Sequence, residues 1–408
     1  VSKVELPVAV DAYSRELRLL LALVGLDNNP SLPSELLDST PHWDWDDFLR
    51  LVVHHRVYPA VYLSLKRLSH PAIPPSVMQA LFAEYRRNSF MMLQLCGELQ
   101  RVGQCFEQQG IRFFVLKGPV LAEALYGDLS MRTSKDLDML VSPTDMERAD
   151  HLLQSCGYEQ SVAEPTPFIF RLRKDPGRDY HKSYIHPGNK VQIELHWRMN
   201  GRSDREPAFD ELWEHRRLLS LAPASIAYLG QEHMCFSLVT HGSRHGWFRL
   251  RWLADMDRLF RQQRDHDQLM RILQVYKVGH YGEQAMVLCE QLLCTNLSDV
   301  RNQPPSGYVL RIVRSAMDVI GGASDVRYKL LLKRPLQKVV YVLGMLLPRR
   351  LDWETLPLPK PLHILYIPLR PVLWLWRMRK KQSQAAALTG SARNTVKDGM
   401  NASHTEEQ

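Results

Sequence analysis

Two aspartates one residue apart, Asp136 and Asp138 in KDLDMLV, are the side chains here best suited to chemistry. On an extended strand, alternate residues point to one face, so both carboxylates face together while Leu137 and Met139 face a core. Carboxylates held side by side repel, and a shared cation relieves them. Magnesium, with manganese as a substitute, takes hard oxygen ligands and keeps positions open for phosphate oxygens. The later segment VQIELHWRM repeats the alternation: Val191, Ile193, Leu195 and Trp197 on one face, Gln192, Glu194, His196 and Arg198 on the other. If that strand lies beside 135–141, Glu194 completes a trio able to hold two metal ions. Such ions clamp the attacking and leaving oxygens of an in-line phosphoryl displacement. An isolated D-x-D is commonly a solvated strand edge, so the weight rests on the ordered string Lys117-Gly118, Arg132, Ser134, Asp136, Asp138, Glu194.

Several neighbours could support that chemistry. Arg132 and Ser134 precede the acidic strand and suit contacts to a triphosphate, since a guanidinium donates in a fork; pairing of Arg132 with Asp128 is the structural alternative. His196 shares the face of Glu194 and could orient it, touch substrate, or serve the fold alone. His241 and His245 in HGSRHGW have a spacing that can bring two imidazoles to one metal. However, the H-E-x-x-H glutamate is missing and Gly242 weakens the helix.

These residues need elements to position them. Residues 1–108 read as an N-terminal helical region: Leu17, Leu20, Leu21 and Val24 recur at helical spacing, a second helix breaks near Pro59, and a third covers about 75–108. FFVLKG reads as a buried strand closed by Gly118 and Pro119, PVLAEALYG as a short helix, KDLDMLV as the next strand and 143–158 as a helix stopping at Gly157. Further strands are expected at about 166–174, 180–186 and 190–199, which makes 109–200 a small α/β core. Residues 201–350 return to helical periodicity, 351–381 form a Pro-, aromatic- and base-rich segment, and 382–408 read as a disordered tail. The fold class is therefore α+β, a small mixed sheet flanked by helical segments.

Composition sets the broad class. At 408 residues, with 45% apolar and 24% charged residues, the chain is an ordinary globular protein of two or three domains. Its net charge of +8 suits an anionic partner, yet 329–350 and the run Arg377, Arg379, Lys380, Lys381 hold much of it, so nucleic acid is not indicated. Six scattered cysteines without a C-x-x-C pair fit neither a disulfide framework nor a zinc ribbon, and point to a reducing cytoplasm. No secretory leader and no membrane-spanning run is visible. Residues 363–381 combine Trp374 and Trp376 with a basic end, a composition suited to peripheral contact with the inner membrane or to docking on the core.

The string LKGPVLAEALYGDLSMRTSKDLDMLV, followed by IELHW at 193–197, resembles the DNA polymerase β-like nucleotidyltransferase superfamily. More narrowly, it resembles a bacterial family of uncharacterised nucleotidyltransferases, over about 40–260. The resemblance implies that Gly118 is the turn glycine, Asp136 and Asp138 the metal pair, and Glu194 the third carboxylate, which helps deprotonate the attacking hydroxyl. It implies transfer of a nucleoside monophosphate from an NTP, ATP among them, to a hydroxyl acceptor. A non-catalytic nucleotide-binding module and a membrane-associated accessory protein of surface-polysaccharide assembly are the other readings. The chain departs from the pattern in three ways. Lys117-Gly118-Pro119 replaces Gly-Gly or Gly-Ser, so Lys117 would supply a charge where relatives offer a hydroxyl. YGDLSMRTS lengthens the gap before Asp136, and the third acid is Glu. His241 and His245, followed by the W-L-A-D segment that ends in Asp255, also look like the family's helical part, which implies that they line the acceptor side of the cleft or hold the helices together. Acceptor and base stay open.

Overall fold

In the computed structural model, the described residues are 10–40, 42–161, 180–200, 205–221, 224–263, 265–297, 304–348, 350–377 and 379. They divide into two compact units, the first running to Leu332 and the second starting at Lys333. The expected strand at 166–174 and the tail at 382–408 lie outside the described residues.

The first unit opens with helices α1 (Arg15–Val24), α2 (Leu32–Ser39), α3 (Trp45–His55), α4 (Tyr58–Leu68) and α5 (Pro75–Gln108). Ser14 and Asp44 cap α1 and α3 by accepting backbone N–H groups, of Leu17 and Asp47. The break expected near Pro59 lies at Arg56, whose left-handed φ of 56° ends α3 just ahead of α4. Helix α5 is 34 residues long and joins two cores. Val77 and Leu81 pack among the other helices, while Met92, Leu95, Leu99, Val102 and Phe106, at helical spacing, pack beneath a sheet.

That sheet holds β1 (Phe113–Val115), β2 (Asp136–Val141), β3 (Glu159–Gln160), β4 (His181–Ile185) and β5 (Gln192–His196), in the order β1-β2-β5-β4-β3. Only the central β2–β5 pairing is parallel; the others are antiparallel. Helix α6 (Pro119–Tyr126) follows β1, and α7 (Met146–Ser155) follows β2. Alternation sorts the two faces: Leu137, Met139, Ile193 and Leu195 enter the core shared with α5 and α7, whereas Leu140 faces the helical core on the other side.

Helix α8 (Phe209–Glu214) then leads into a hairpin of β6 (Arg217–Leu221) and β7 (Ala224–Tyr228). This corrects the helical reading from residue 201 onward. RLLSL and ASIAY are five-residue apolar runs, too short for periodicity to separate strand from helix. Helices α9 (Gln231–Arg244), α10 (Leu250–Gln262), α11 (His266–Val275), α12 (Gly279–Leu293), α13 (Gly307–Ile320) and α14 (Val326–Leu331) complete the first unit. The fold is α+β, a mixed five-stranded sheet flanked by helices on both sides in sequence.

The second unit contains α15 (Pro335–Leu346) and α16 (Arg350–Thr355), a 3-10 turn at Lys360–Leu365 and helical residues 366–377. Tyr366 and Leu373 are buried in a small core of its own, with Trp353, Leu358, Ile367 and Leu369 around them. No helix among the described residues is long and apolar enough to cross a membrane.

Candidate metal centre

Strand pairing builds the centre. β2 and β5 run parallel with Asp136 opposite Gln192 and Asp138 opposite Glu194, so acids distant in sequence become lateral neighbours. One ligand atom each from Asp138, Glu194 and His196 lies within 4.8 Å of the others, and this is the one metal-competent group of three or more among the described residues. Asp136 lies outside that tightest group, one turn of the pleat away on the same strand. Its carboxyl still feels both acids: burial first, then the charges of Asp138 and Glu194, push its pKa upward.

Asp138 and Glu194 are each held by a cationic or N–H partner. The antiparallel β1–β2 ladder continues with Leu116 N–H donating to the Asp138 carbonyl, which sets Lys117 beside the Asp138 side chain. Lys117 Nζ donates to Asp138 Oδ1 at 3.2 Å, and His196 Nε2 donates to the same oxygen at 3.2 Å. A carboxylate can only accept, so the tautomer with the proton on Nε2 follows. Burial alone would raise the Asp138 pKa. Lys117 and His196 outweigh it and hold Asp138 well below the usual carboxylate range. His196 Nε2 also lies 3.5 Å from Glu194 Oε2 and lowers that carboxyl's pKa. For His196 itself, burial opposes the charge, but the two carboxylates prevail and raise its pKa.

Sequence reasoning missed His181. Across the β4–β5 ladder it is the register partner of His196; the rings stack with centroids 5.0 Å apart, and His181 Nε2 lies 3.9 Å from Glu194 Oε2. The strand expected at 180–186 contains His181, but register, which the sequence did not supply, is what brings it to Glu194. Arg251 was missed too. It donates to the Thr133 carbonyl at 2.6 Å, and the Asp136 and Asp255 charges act on it from the acidic side. Burial and the Arg132 charge push its pKa down to about 9, still a cation at neutral pH.

The residues around the turn are committed to local bonds. Gly118 has φ 72° and ψ −137°, a conformation reserved for glycine, and precedes the first turn of α6. Ser134 Oγ donates to the Asp136 carbonyl at 3.0 Å, so it ties the entry of β2 rather than projecting free. Arg132 is fully buried, and its Nε and Nη2 form a fork on Asp255, each at 3.0 Å. It pairs neither with Asp128, which accepts from Ser130, nor with solvent, so burial removes it from phosphate reach in this geometry. Asp255 is thereby a supporting residue deep in α10, and Tyr126 donates to it at 2.9 Å.

His241 and His245 lie at the end of α9 with ring centroids 4.9 Å apart, both against Trp252. Arg244 donates to His241 Nδ1 at 3.2 Å. Burial lowers the pKa of both, that of His245 to about 3, and no three-ligand group among the described residues includes them. Gly242 between them is required by packing: a Cβ there would meet the Trp247 ring at 2.3 Å.

Comparison with known proteins settles the family. Residues 41–294 match the family described as uncharacterised nucleotidyltransferase. The chain belongs to that family. No curated protein and no solved structure matches it. Membership supports nucleotidyl transfer as the general chemistry, and the Asp138, Glu194 and His196 group is able to bind a divalent metal.

Proposed function

We propose that this nucleotidyltransferase moves a nucleoside monophosphate from an NTP to a hydroxyl acceptor, releasing pyrophosphate, with magnesium held by Asp136, Asp138 and Glu194. The observation that carries this is the parallel register of β2 and β5, which sets Glu194 beside the D-x-D pair. The donor set fits the ion. Oxygen ligands dominate, and at Asp136 burial and the acidic neighbours outweigh the charges of Lys117 and Arg251 and raise the pKa, so a bound cation would relieve it. When bound, the metal would polarise phosphate oxygens and offset charge that develops during displacement.

The chain's own groups do the rest. His196 Nε2–H fixes the orientations of Asp138 and Glu194. Lys117, which pairs with Asp138 here, would be able to offer its ammonium to a phosphate oxygen when a metal answers that acid. Glu194 keeps a quarter of its side chain exposed, so an acceptor hydroxyl can reach it and pass its proton to Oε2. The acceptor oxygen bonds to the α-phosphorus as the bond to the β-phosphate bridging oxygen breaks. A second reading, a nucleotide-binding module without turnover, draws on the Lys117–Asp138 ion pair, which satisfies the acid without metal.

The test is incubation of the purified chain with each α-labelled NTP, magnesium or manganese, and cell extract as acceptor pool. Label transferred by the native chain and lost in an Asp136→Ala/Asp138→Ala variant supports transfer. Metal-dependent nucleotide binding without transfer supports the binding module. No binding at all refutes both.

A further inference from the structure

The chain's positive charge is not spread over the molecule. Between Lys333 and Lys381 there are eleven Lys and Arg and two acids, Asp352 and Glu354, a net of +9 (11 − 2). The whole chain carries +8, from 52 basic and 44 acidic residues, so everything outside this stretch sums to −1 (41 − 42). The basic character belongs to the second unit.

The same unit exposes its apolar side chains. Helix α15 carries Leu336, Val339, Val340 and Leu343 at positions i, i+3, i+4 and i+7, the stripe by which a helix normally faces a core. Here the stripe faces outward, with Leu336 76% and Val340 62% exposed. The helix over 366–377 is divided: Tyr366 and Leu373 fill the unit's small core while Trp374 and Trp376 are each more than half exposed. At 12 residues α15 is about 18 Å long, too short for a bilayer core of about 30 Å.

We infer that the second unit is a membrane-docking module, lying in the plane of an anionic phospholipid surface with the α15 stripe and Trp374/Trp376 inserted among the acyl chains. Lipid headgroups answer the cations, and hydrocarbon covers the aliphatic side chains, while tryptophan favours the boundary between them. Other occupants satisfy only half of the pattern. A nucleic acid would meet the charge but leave Leu336, Val340 and Leu343 in water. A second copy would bury the stripe while opposing two +9 surfaces.

The full chain is floated with phosphatidylcholine vesicles and with vesicles one-third phosphatidylglycerol, at low and high salt. Binding to the anionic vesicles should exceed the neutral by about tenfold or more and weaken with salt. A Val340→Asp/Leu343→Asp variant, and independently Trp374→Ser/Trp376→Ser, should each lose about tenfold of that binding, with melting of the first unit unchanged. The proposal is overturned if the native chain floats with neither vesicle or equally with both. It is also overturned if both variants bind as well as the native chain, or if the same side chains are protected instead in a self-associated or RNA-bound form.

Discussion

At the scale of single residues, Lys117 and Asp138 allow the sharpest tests. Lys117 is an internal counter-ion on a buried carboxylate, so a metal must displace it. A Lys117→Met variant should bind Mn2+ several-fold more tightly by calorimetry. The metal-free protein should be less stable by about 1–3 kcal/mol, because a buried acid loses a partner. If metal affinity falls instead, Lys117 is not competing for that oxygen. Asp138→Asn should weaken both metal binding and any transfer by about a hundredfold or more, and should also lower the melting temperature of the metal-free protein, because Lys117 and His196 lose the charge they answer. Gly118→Ala forces a Cβ into a backbone region that only glycine tolerates, and should cost about 1–3 kcal/mol in urea unfolding. The residues of the acidic face were readable from alternation, since Asp136, Asp138, Glu194 and His196 all obey the period of two. Their partners were not. His181 needed the register of β4 against β5, and Arg251 meets Thr133 through a contact between elements far apart in sequence, which no local pattern encodes.

At the scale of elements, the segment leading into β2 is tied to α10 by the Arg132–Asp255 fork, and α10 to α3 by His55. Asp255→Asn leaves the Arg132 guanidinium buried without its counter-charge and should cost about 3–5 kcal/mol, whereas a matched Arg132→Met/Asp255→Leu pair should cost much less. Denaturant melts of the two variants compare these outcomes directly. His55 is fully buried, and its Nδ1 accepts the N–H of Leu250 at the start of α10. Burial lowers its pKa to about 3. A group that protonates more readily when unfolded stabilises the fold above its ordinary pKa, near 6.5, and that contribution is lost as pH falls toward 3. Within that window each pH unit should remove about 1.4 kcal/mol. His55→Asn, which keeps an acceptor, should flatten part of the slope in melts between pH 7.5 and 5. The helices of the N-terminal region were readable because apolar residues recur at helical spacing and Pro59 interrupts the second of them. The β6–β7 hairpin was not, because the sequence between its two apolar runs, Ala222-Pro223, lacks the Asn-Gly or Asp-Gly that signals a tight turn.

At the scale of the whole molecule, the two units have separate cores and opposite tasks under the readings above. A chain ending at Leu332 should keep a single cooperative melt and its Mn2+ affinity, and lose the vesicle binding expected of the full chain. Circular dichroism with calorimetry reads the first property, and flotation the second. If metal affinity disappears with the truncation, the second unit contributes to the centre.

The parallel pairing of β2 with β5 also bears on how the protein comes into being. During synthesis the D-x-D pair leaves the ribosome well before Glu194 and His196, and its central sheet partner does not yet exist. Strands joined in parallel must wait for the crossover between them, which makes such pairings slow to form. The nascent chain therefore offers passing cations only a weak pair of acids. Under the proposed reading a full set of ligands would arise only when β5 settles against β2, so metal binding at the centre would report that the sheet is complete.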